Sequence, residues 1–253
     1  MLQPAIQVRG VAKIFEDEVR ALDAIDLTVG EGEVVSLIGP SGCGKSTLLK
    51  LIAGLIPPSG GYISLGGDPY ERELAFVFQH ATLMPWATVE KNVLLPLDLA
   101  HASEAERAAK VQHALDLVGL TEFAARYPRQ LSGGMQMRVS IARALVTTPH
   151  LLLMDEPFGA LDEITRNRLD SDLLALRARA KLTVLFVTHS IAEAVFLSTR
   201  VLVMSARPGR ITEEIVIDEP YPRDDRFRLS ERFIRLASRV SSALATASEL
   251  AVA

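Results

Sequence analysis

One nine-residue stretch constrains this chain more than any other: Gly39-Pro40-Ser41-Gly42-Cys43-Gly44-Lys45-Ser46-Thr47. It fits the phosphate-cradling pattern GxxxxGK followed by Ser or Thr, with Gly39, Gly44, Lys45 and Ser46 at the fixed positions. Glycines let the backbone turn tightly, so that successive N–H groups face phosphate oxygens without a Cβ in the way. A helix starting at Lys45 and Ser46 adds unpaired N–H donors and the positive end of its dipole. Gly39, Ser41, Gly42, Cys43, Gly44 and Thr47 therefore read as the cradle of a nucleotide. Lys45 is placed to reach the β- and γ-phosphates, and the Ser46 hydroxyl to ligate Mg²⁺. The flanks agree. Residues 33–38 form a short apolar run that reads as a buried strand. Residues 47–55 read as the following helix, ending near Gly54 and Pro57.

At 253 residues the chain is long enough for one large domain or two small ones. The formal net charge is -4 and no long basic run occurs, so nucleic acid is not an expected partner. No apolar stretch reaches the ~18 residues that span a bilayer, and the N-terminus shows no signal-peptide core. The single cysteine, Cys43, rules out an intramolecular disulfide and fits a reducing compartment. Inside the phosphate loop it reads either as a small filler or as a thiol whose oxidation would block nucleotide.

Along the chain, residues 6–9 and 24–29 alternate as strands do, with Phe15 in the connection between them. Phe15 either stacks on a nucleotide base or packs against Val11. Residues 57–61 read as a turn, 62–65 as a strand, Gly66-Gly67 as a hairpin-type reversal, and 74–78 as a buried strand with Gln79 at its end. Residues 88–146 then read as helices almost throughout. Ser103 to Glu106 makes a capping box, and Ala108, Val111, Leu115 and Val118 follow at helical spacing before a C-cap at Gly119. We divide the chain accordingly: a nucleotide-binding core of residues 1–83 and 149–217, a helical subdomain of 84–148 inserted into it, and a C-terminal tail of 218–253.

The core resumes with the apolar residues 151–154, which run into Asp155-Glu156-Pro157. A helix over 163–180, a strand over 183–188 ending at His189, and a short helix over 191–197 follow. Strands at 200–204 and 210–217 are joined by Arg207-Pro208-Gly209. In the tail, Phe233, Leu236, Val240 and Leu244 form a stripe after a cap at Ser230, the pattern of a face packed on the core. Alternating strands and helices predict an α/β fold with a mostly parallel sheet covered on both faces. Ligands of such sheets lie beyond the carboxyl ends of the strands, where Gln79, Asp155 and His189 fall.

Asp155 is placed to hold Mg²⁺, directly or through water, and Glu156 to polarise an attacking water. A second anion-binding helix start lies at Leu131-Ser132-Gly133-Gly134-Met135-Gln136, with Ser132 as N-cap. It belongs to the helical subdomain, apart from the first. Two phosphate-type helix starts in one chain suggest that a second copy completes the site.

Taken in order, Phe15, residues 39–47, Gln79, residues 131–136 and 151–156, Ala160-Leu161-Asp162 and His189 resemble the ATP-binding subunit of an ABC transporter, over nearly the whole chain. The resemblance implies a P-loop NTPase core with a mostly parallel sheet, an antiparallel β subdomain and an inserted helical subdomain. It implies ATP and Mg²⁺ as cofactors and hydrolysis of ATP. Phe15 is then the adenine-stacking aromatic, and Gln79 contacts Mg²⁺ and water and senses the membrane subunits. Glu156 is the general base and His189 the γ-phosphate sensor. Asp162 lies at the dimer interface. Ser132, Gly133 and Gly134 bind the γ-phosphate held by the other subunit of a head-to-tail dimer, which is a second copy or a related cassette. Met135 stands where many members carry Gln.

Leu83-Met84-Pro85-Trp86, residues 206–211 and residues 221–225 resemble the importer branch for nitrate, sulfonates and taurine. That branch implies transmembrane permease subunits as partners, a solute-binding protein indirectly, and a place on the cytoplasmic face of the membrane. Trp86 would meet the permease, or else is a partly buried aromatic of the helical subdomain. Two other readings compete. A soluble ABC ATPase acting on DNA or ribosomes would be expected to show long coiled coils or two cassettes. A nucleotide kinase or GTPase would leave residues 131–135, Gln79 and His189 without roles.

Overall fold

The computed structural model describes residues 4–16, 18–66, 74–159, 161–180 and 182–249. Its strands fall into two sheets. The smaller is antiparallel, in the order β2-β1-β4, built from β1 (Ile6–Ile14), β2 (Arg20–Val29) and β4 (Gly60–Leu65). Ile6, Val8, Val11, Leu22, Ile25, Leu27 and Val29 turn inward and are buried. The alternation in β1 breaks at Gly10, yet the strand continues to Ile14. Gly10 adopts φ 55 and the register with β2 shifts between Val8 and Val11, so a bulge carries the pairing on.

The turn expected over residues 57–61 is also shorter than the glycines suggested. Gly60 already pairs with Ala12. A Cβ on Gly61 would stand 2.4 Å from the carbonyl oxygens of Arg9 and Gly10. Glycine is there for close approach inside the sheet, not for chain reversal. Of the expected Gly66-Gly67 reversal, Gly67 lies outside the described residues.

The larger sheet runs β5-β6-β7-β3-β8-β9, comprising β5 (Leu74–Val77), β6 (Leu151–Asp155), β7 (Thr183–Val187), β3 (Val34–Ile38), β8 (Arg200–Met204) and β9 (Ile211–Val216). All neighbours are parallel except β8 and β9. Every residue of β3, β6 and β7 is buried, as a sheet covered on both faces requires. The covering helices include α1 (Lys45–Ile52), α5 (Glu163–Ala180) and α6 (Ile191–Leu197). Helix α1 begins at Lys45, where the phosphate-loop reading puts the helix start, with Gly44 at φ 104 as its N-cap. It ends at Ile52, and Gly54 enters the left-handed region at φ 70 just beyond, near the end the sequence predicts.

Between β5 and β6 lie α2 (Val89–Leu99), α3 (Glu104–Leu117) and α4 (Gly133–Leu145). Both bonds of the Ser103–Glu106 capping box are present. Buried Val93, Leu115, Met137 and Ile141 of these helices share one apolar cluster with Val77, Leu152 and Phe158. The helical segment is therefore packed directly on the parallel sheet.

The tail holds α7 (Asp225–Arg228) and α8 (Glu231–Glu249). Ser230 Oγ accepts from Phe233 N at 3.1 Å, as a cap should. Val240 is buried, and Phe233, Leu236 and Leu244 pack against the core. The charged run before α8 does more than coat a surface. Arg223 is buried and donates from its guanidinium to the carbonyls of Val195, Phe196 and Ser198 at the end of α6, and to Ile217 and Glu219. The Tyr221 ring lies between the guanidinium groups of Arg177 at 4.2 Å and Arg223 at 4.3 Å.

Candidate functional site

Parallel order does the first part of the assembly. Strands β5, β6, β7 and β3 lie side by side with their carboxyl ends at one edge of the sheet. Gln79, Asp155-Glu156, Thr188-His189 and the phosphate loop each follow one of those ends.

The loop itself leaves no room for larger residues. A Cβ on Gly39 would meet Met204 O and Cys43 Sγ at 2.9 Å, and one on Gly44 would meet Leu22 Cδ2 at 2.6 Å. Lys45 is buried and donates from Nζ to Gly39 O at 2.9 Å and Pro40 O at 3.0 Å. The ammonium thus bridges the start of the loop it belongs to. Cys43 is buried, and burial pushes its thiol up from the ordinary value. That is the character of a small filler.

Ser46 Oγ donates to Asp155 Oδ1 at 2.8 Å. Burial pushes the Asp155 carboxyl up, helped by the charge of Glu156, while the Ser46 hydrogen bond and the charges of Lys50 and Lys45 draw it down. A carboxylate beside a hydroxyl is an all-oxygen donor set, which suits Mg²⁺. Among the described residues no three His, Cys, Asp or Glu side chains gather into a metal-binding group. Protein donors alone are therefore too few, and the fit is to an ion that shares its shell with phosphate oxygens and water.

Glu156 stands one residue beyond β6 with φ 46, an unusual conformation for a side chain with a Cβ. Its N–H donates to Val187 O at 2.9 Å, and its carbonyl accepts from Gly159 N at 3.2 Å. So held, its Oε2 lies 3.4 Å from Gln79 Nε2 and 3.4 Å from His189 Nδ1. The imidazole passes so close to Gly159 that a Cβ there would stand 3.1 Å from His189 Cε1.

The remaining candidates stand apart from this group. Phe15 is 44% exposed, with Lys13 Nζ 5.2 Å from its ring centroid. Ser132 caps α4, its Oγ accepting from Met135 N at 3.3 Å, and open space surrounds the Gly133 Cα. Among the described residues no hydrogen bond joins Ser132, Gly133 or Gly134 to residues 39–47. Asp162 Oδ1 accepts from Thr165 N at 3.0 Å at the start of α5, and those bonds hold its carboxyl below the usual range. Its neighbour Ala160 lies outside the described residues. Trp86 is 77% exposed, which removes the partly buried reading. Its loop is pinned from beneath by buried Asn92, which bonds to Met84, Ala87 and Thr88. Arg143 holds the segment after Gln79 by donating to Ala81 O and Thr82 O.

Sequence reasoning passed over one further element. The β8–β9 connection wedges behind the phosphate loop, where Arg207 Nη2 donates to Gly42 O at 3.2 Å. A Cβ on Gly209 would stand 2.1 Å from Cys43 O. The Arg-Pro-Gly stretch reads as a strand connection and as part of the importer resemblance, and only its glycine hinted at a close approach to the phosphate loop.

Comparison with known proteins finds relatives over most of the chain. A family model described as "ABC transporter" matches residues 22–159. The aliphatic sulfonates import ATP-binding protein SsuB of Bacillus cereus is 42% identical over 241 residues, covering 93% of this chain and 94% of the relative. The taurine import ATP-binding protein TauB of Rhizobium johnstonii is 49% identical over 203 residues, covering 79% and 78%. Among solved structures, the dimeric post-hydrolysis state of the ATP-binding cassette MJ0796 bound to ADP and Pi superposes with a TM-score of 0.74 at 34% identity. It covers 85% of this chain and 100% of that one.

Proposed function

Because the chain belongs to the ABC transporter family, as one of its ATP-binding cassettes, we propose that residues of this site hydrolyse ATP to drive import of a small sulfonate or taurine. One observation carries the reading: the Glu156 carboxylate sits between Gln79 and His189, beside the Ser46–Asp155 pair and the loop that ends at Thr47. The loop N–H groups and Lys45 hold the phosphates. Ser46 and Asp155 would hold Mg²⁺, which neutralises charge on the transferring phosphoryl group. Glu156 Oε2 accepts a proton from the attacking water, while Gln79 and the His189 imidazole fix its direction. Preorganised donors of this kind stabilise charge as it develops on the γ-phosphate.

Ser132, Gly133 and Gly134 lie on a different helix start, where Ser132 and Gly133 are exposed to a second molecule and Gly134 is half-buried beside Thr165 and Leu161. A second copy, or a related cassette, in head-to-tail arrangement brings them to the γ-phosphate. The cassette fold is one that forms dimers, as the MJ0796 structure illustrates. Among the described residues no helix is long and apolar enough to cross a membrane. Attachment to the membrane therefore runs through permease subunits, with exposed Trp86 on its pinned loop as a contact and a solute-binding protein delivering the cargo. The names of the sulfonate and taurine relatives support the choice of cargo.

The test is ATP turnover by the transporter in proteoliposomes with sulfonate- or taurine-loaded binding protein, for the wild type and Glu156→Gln. A general base supplies about 10²–10⁴-fold, so turnover should fall by that factor while ATP still binds and holds the dimer. Unchanged turnover in the variant would refute the role of Glu156.

A further inference from the structure

Two loops of the proposed site are joined through one guanidinium. Arg166 lies in the first turn of α5, and its Nη2 donates to Leu161 O at 2.9 Å, next to Asp162. Its Nε lies 3.1 Å from Glu193 Oε1 on α6. Glu193 is buried, and its other oxygen, Oε2, accepts from Thr188 Oγ1 at 2.5 Å. The Thr188 hydroxyl oxygen in turn accepts from Ser190 N at 2.9 Å. Thr188 and Ser190 flank His189 on either side. The path from Asp162 to His189 is therefore continuous: a backbone carbonyl, a guanidinium, a carboxylate and a hydroxyl.

The middle of that path has little else to hold it. Neither Arg166 Nε nor Glu193 Oε1 has a hydrogen-bond partner, so charge compensates their burial there, that of Arg166 first, with His189 and Arg228 adding to it at Glu193. Burial pushes the Glu193 carboxyl up, and Thr188 and Arg166 draw it back. A buried carboxylate follows its cation, because separation leaves a charge uncompensated in a medium of low dielectric. A second ion pair nearby serves as a contrast. Arg228 Nη2 meets fully buried Asp170 Oδ2 at 2.7 Å, and its charge also reaches Glu193, but it makes no hydrogen bond to either loop.

We propose that Arg166 is a positioning residue that makes the Asp162 segment and the His189 loop move as one unit, so that closure of the second subunit on Asp162 sets His189 against the γ-phosphate. The inference rests on the reading of Asp162 as an interface residue and His189 as a phosphate sensor. Arg166 touches no substrate in this scheme; it acts through Glu193 and Thr188.

The experiment is steady-state ATP hydrolysis by the assembled transporter as a function of ATP concentration, with melting temperature recorded for each variant. Misplacing a catalytic group by about 1 Å costs up to about a hundredfold in rate, so Arg166→Ala should lose about tenfold or more in kcat with KM within about twofold. Arg166→Lys keeps a positive charge for Glu193 but cannot also hold Leu161 O. It should regain the melting temperature and not kcat, and it carries the test if Arg166→Ala does not fold. Arg228→Met should lower the melting temperature with kcat retained. Wild-type kcat in Arg166→Lys, or equal losses of kcat in Arg166→Ala and Arg228→Met, would overturn the proposal. Failure of the hydrolytic reading shows separately, as equal turnover by wild type and Glu156→Gln, and takes the inference with it.

Discussion

Gly209→Ala is a one-atom test of how the phosphate loop is held. The added Cβ would stand 2.1 Å from Cys43 O, whereas real Cβ atoms come no closer than 3.0 Å, so the two must part by about 0.9 Å. The second contact, Met204 Cε at 2.9 Å, is the end of a flexible side chain and yields easily. Gly209 itself is fixed. Its N–H donates to Ala21 O at 2.9 Å, and its carbonyl accepts from Asp23 N at 3.1 Å. The displacement therefore falls on the loop at Cys43, in the middle of the N–H groups assigned to phosphate. Hydrogen bonds to a charged acceptor contribute about 1.5–3 kcal/mol each, and misaligning two of them at the lower figure removes about 3 kcal/mol. That is about a hundredfold in Kd for ATP. Equilibrium titration of the variant with a fluorescent ATP analogue, in the presence of Mg²⁺, measures it apart from hydrolysis. Near-ultraviolet circular dichroism checks that the rest of the fold is unchanged. A Kd within threefold of the wild type, in a folded variant, would refute the argument that Gly209 braces the loop.

Two further outcomes concern the frame around the site. Arg223→Met removes the donors that satisfy buried carbonyls of Val195, Phe196 and Ser198. At about 1 kcal/mol for each orphaned acceptor, urea unfolding should show a loss of about 3 kcal/mol, and a loss below about 1 kcal/mol would contradict the anchoring role. Burial raises Asp170 from its ordinary value to about 7, despite the bond from Arg228. Folding then takes up a proton between about pH 4 and pH 7. The stability this group contributes is complete below about pH 4 and is lost as pH rises through 7, by up to about 1.4 kcal/mol per pH unit. Asp170→Asn should flatten the fall in stability over that window. Parallel curves for the two proteins would show that Asp170 does not titrate there.

What could be read in advance is what depends on neighbours in sequence. The loop at residues 39–47, the Ser103–Glu106 box and the carboxylates after β6 each carry their chemistry within a few positions, and their places in the fold match. The strand ends came together because a parallel sheet puts them on one edge whatever the details. The features missed have partners far along the chain. Gly61 and Gly209 are glycines because of backbone oxygens at Arg9 and Cys43, so each looked like a turn. Arg223 sits in a charged run that reads as surface, yet its acceptors are the end of a helix over two dozen residues away. The ion pair between Arg166 and Glu193 is equally silent, since either residue alone fits an exposed helix face.

Glu156 shows what the site asks of the fold. Left-handed backbone costs a residue with a Cβ about 1 kcal/mol or more, and glycine would sit at φ 46 without that strain. Selection for a long-lived molecule alone would favour glycine at this position. A carboxylate there serves the proposed hydrolysis at the expense of durability. The N–H bond to Val187 O and the carbonyl bond from Gly159 N keep the strained backbone from relaxing into an extended continuation of β6, which would swing the carboxylate away from Gln79 and His189. Stability and activity pull in opposite directions at this one residue, and the two hydrogen bonds on its backbone decide the contest.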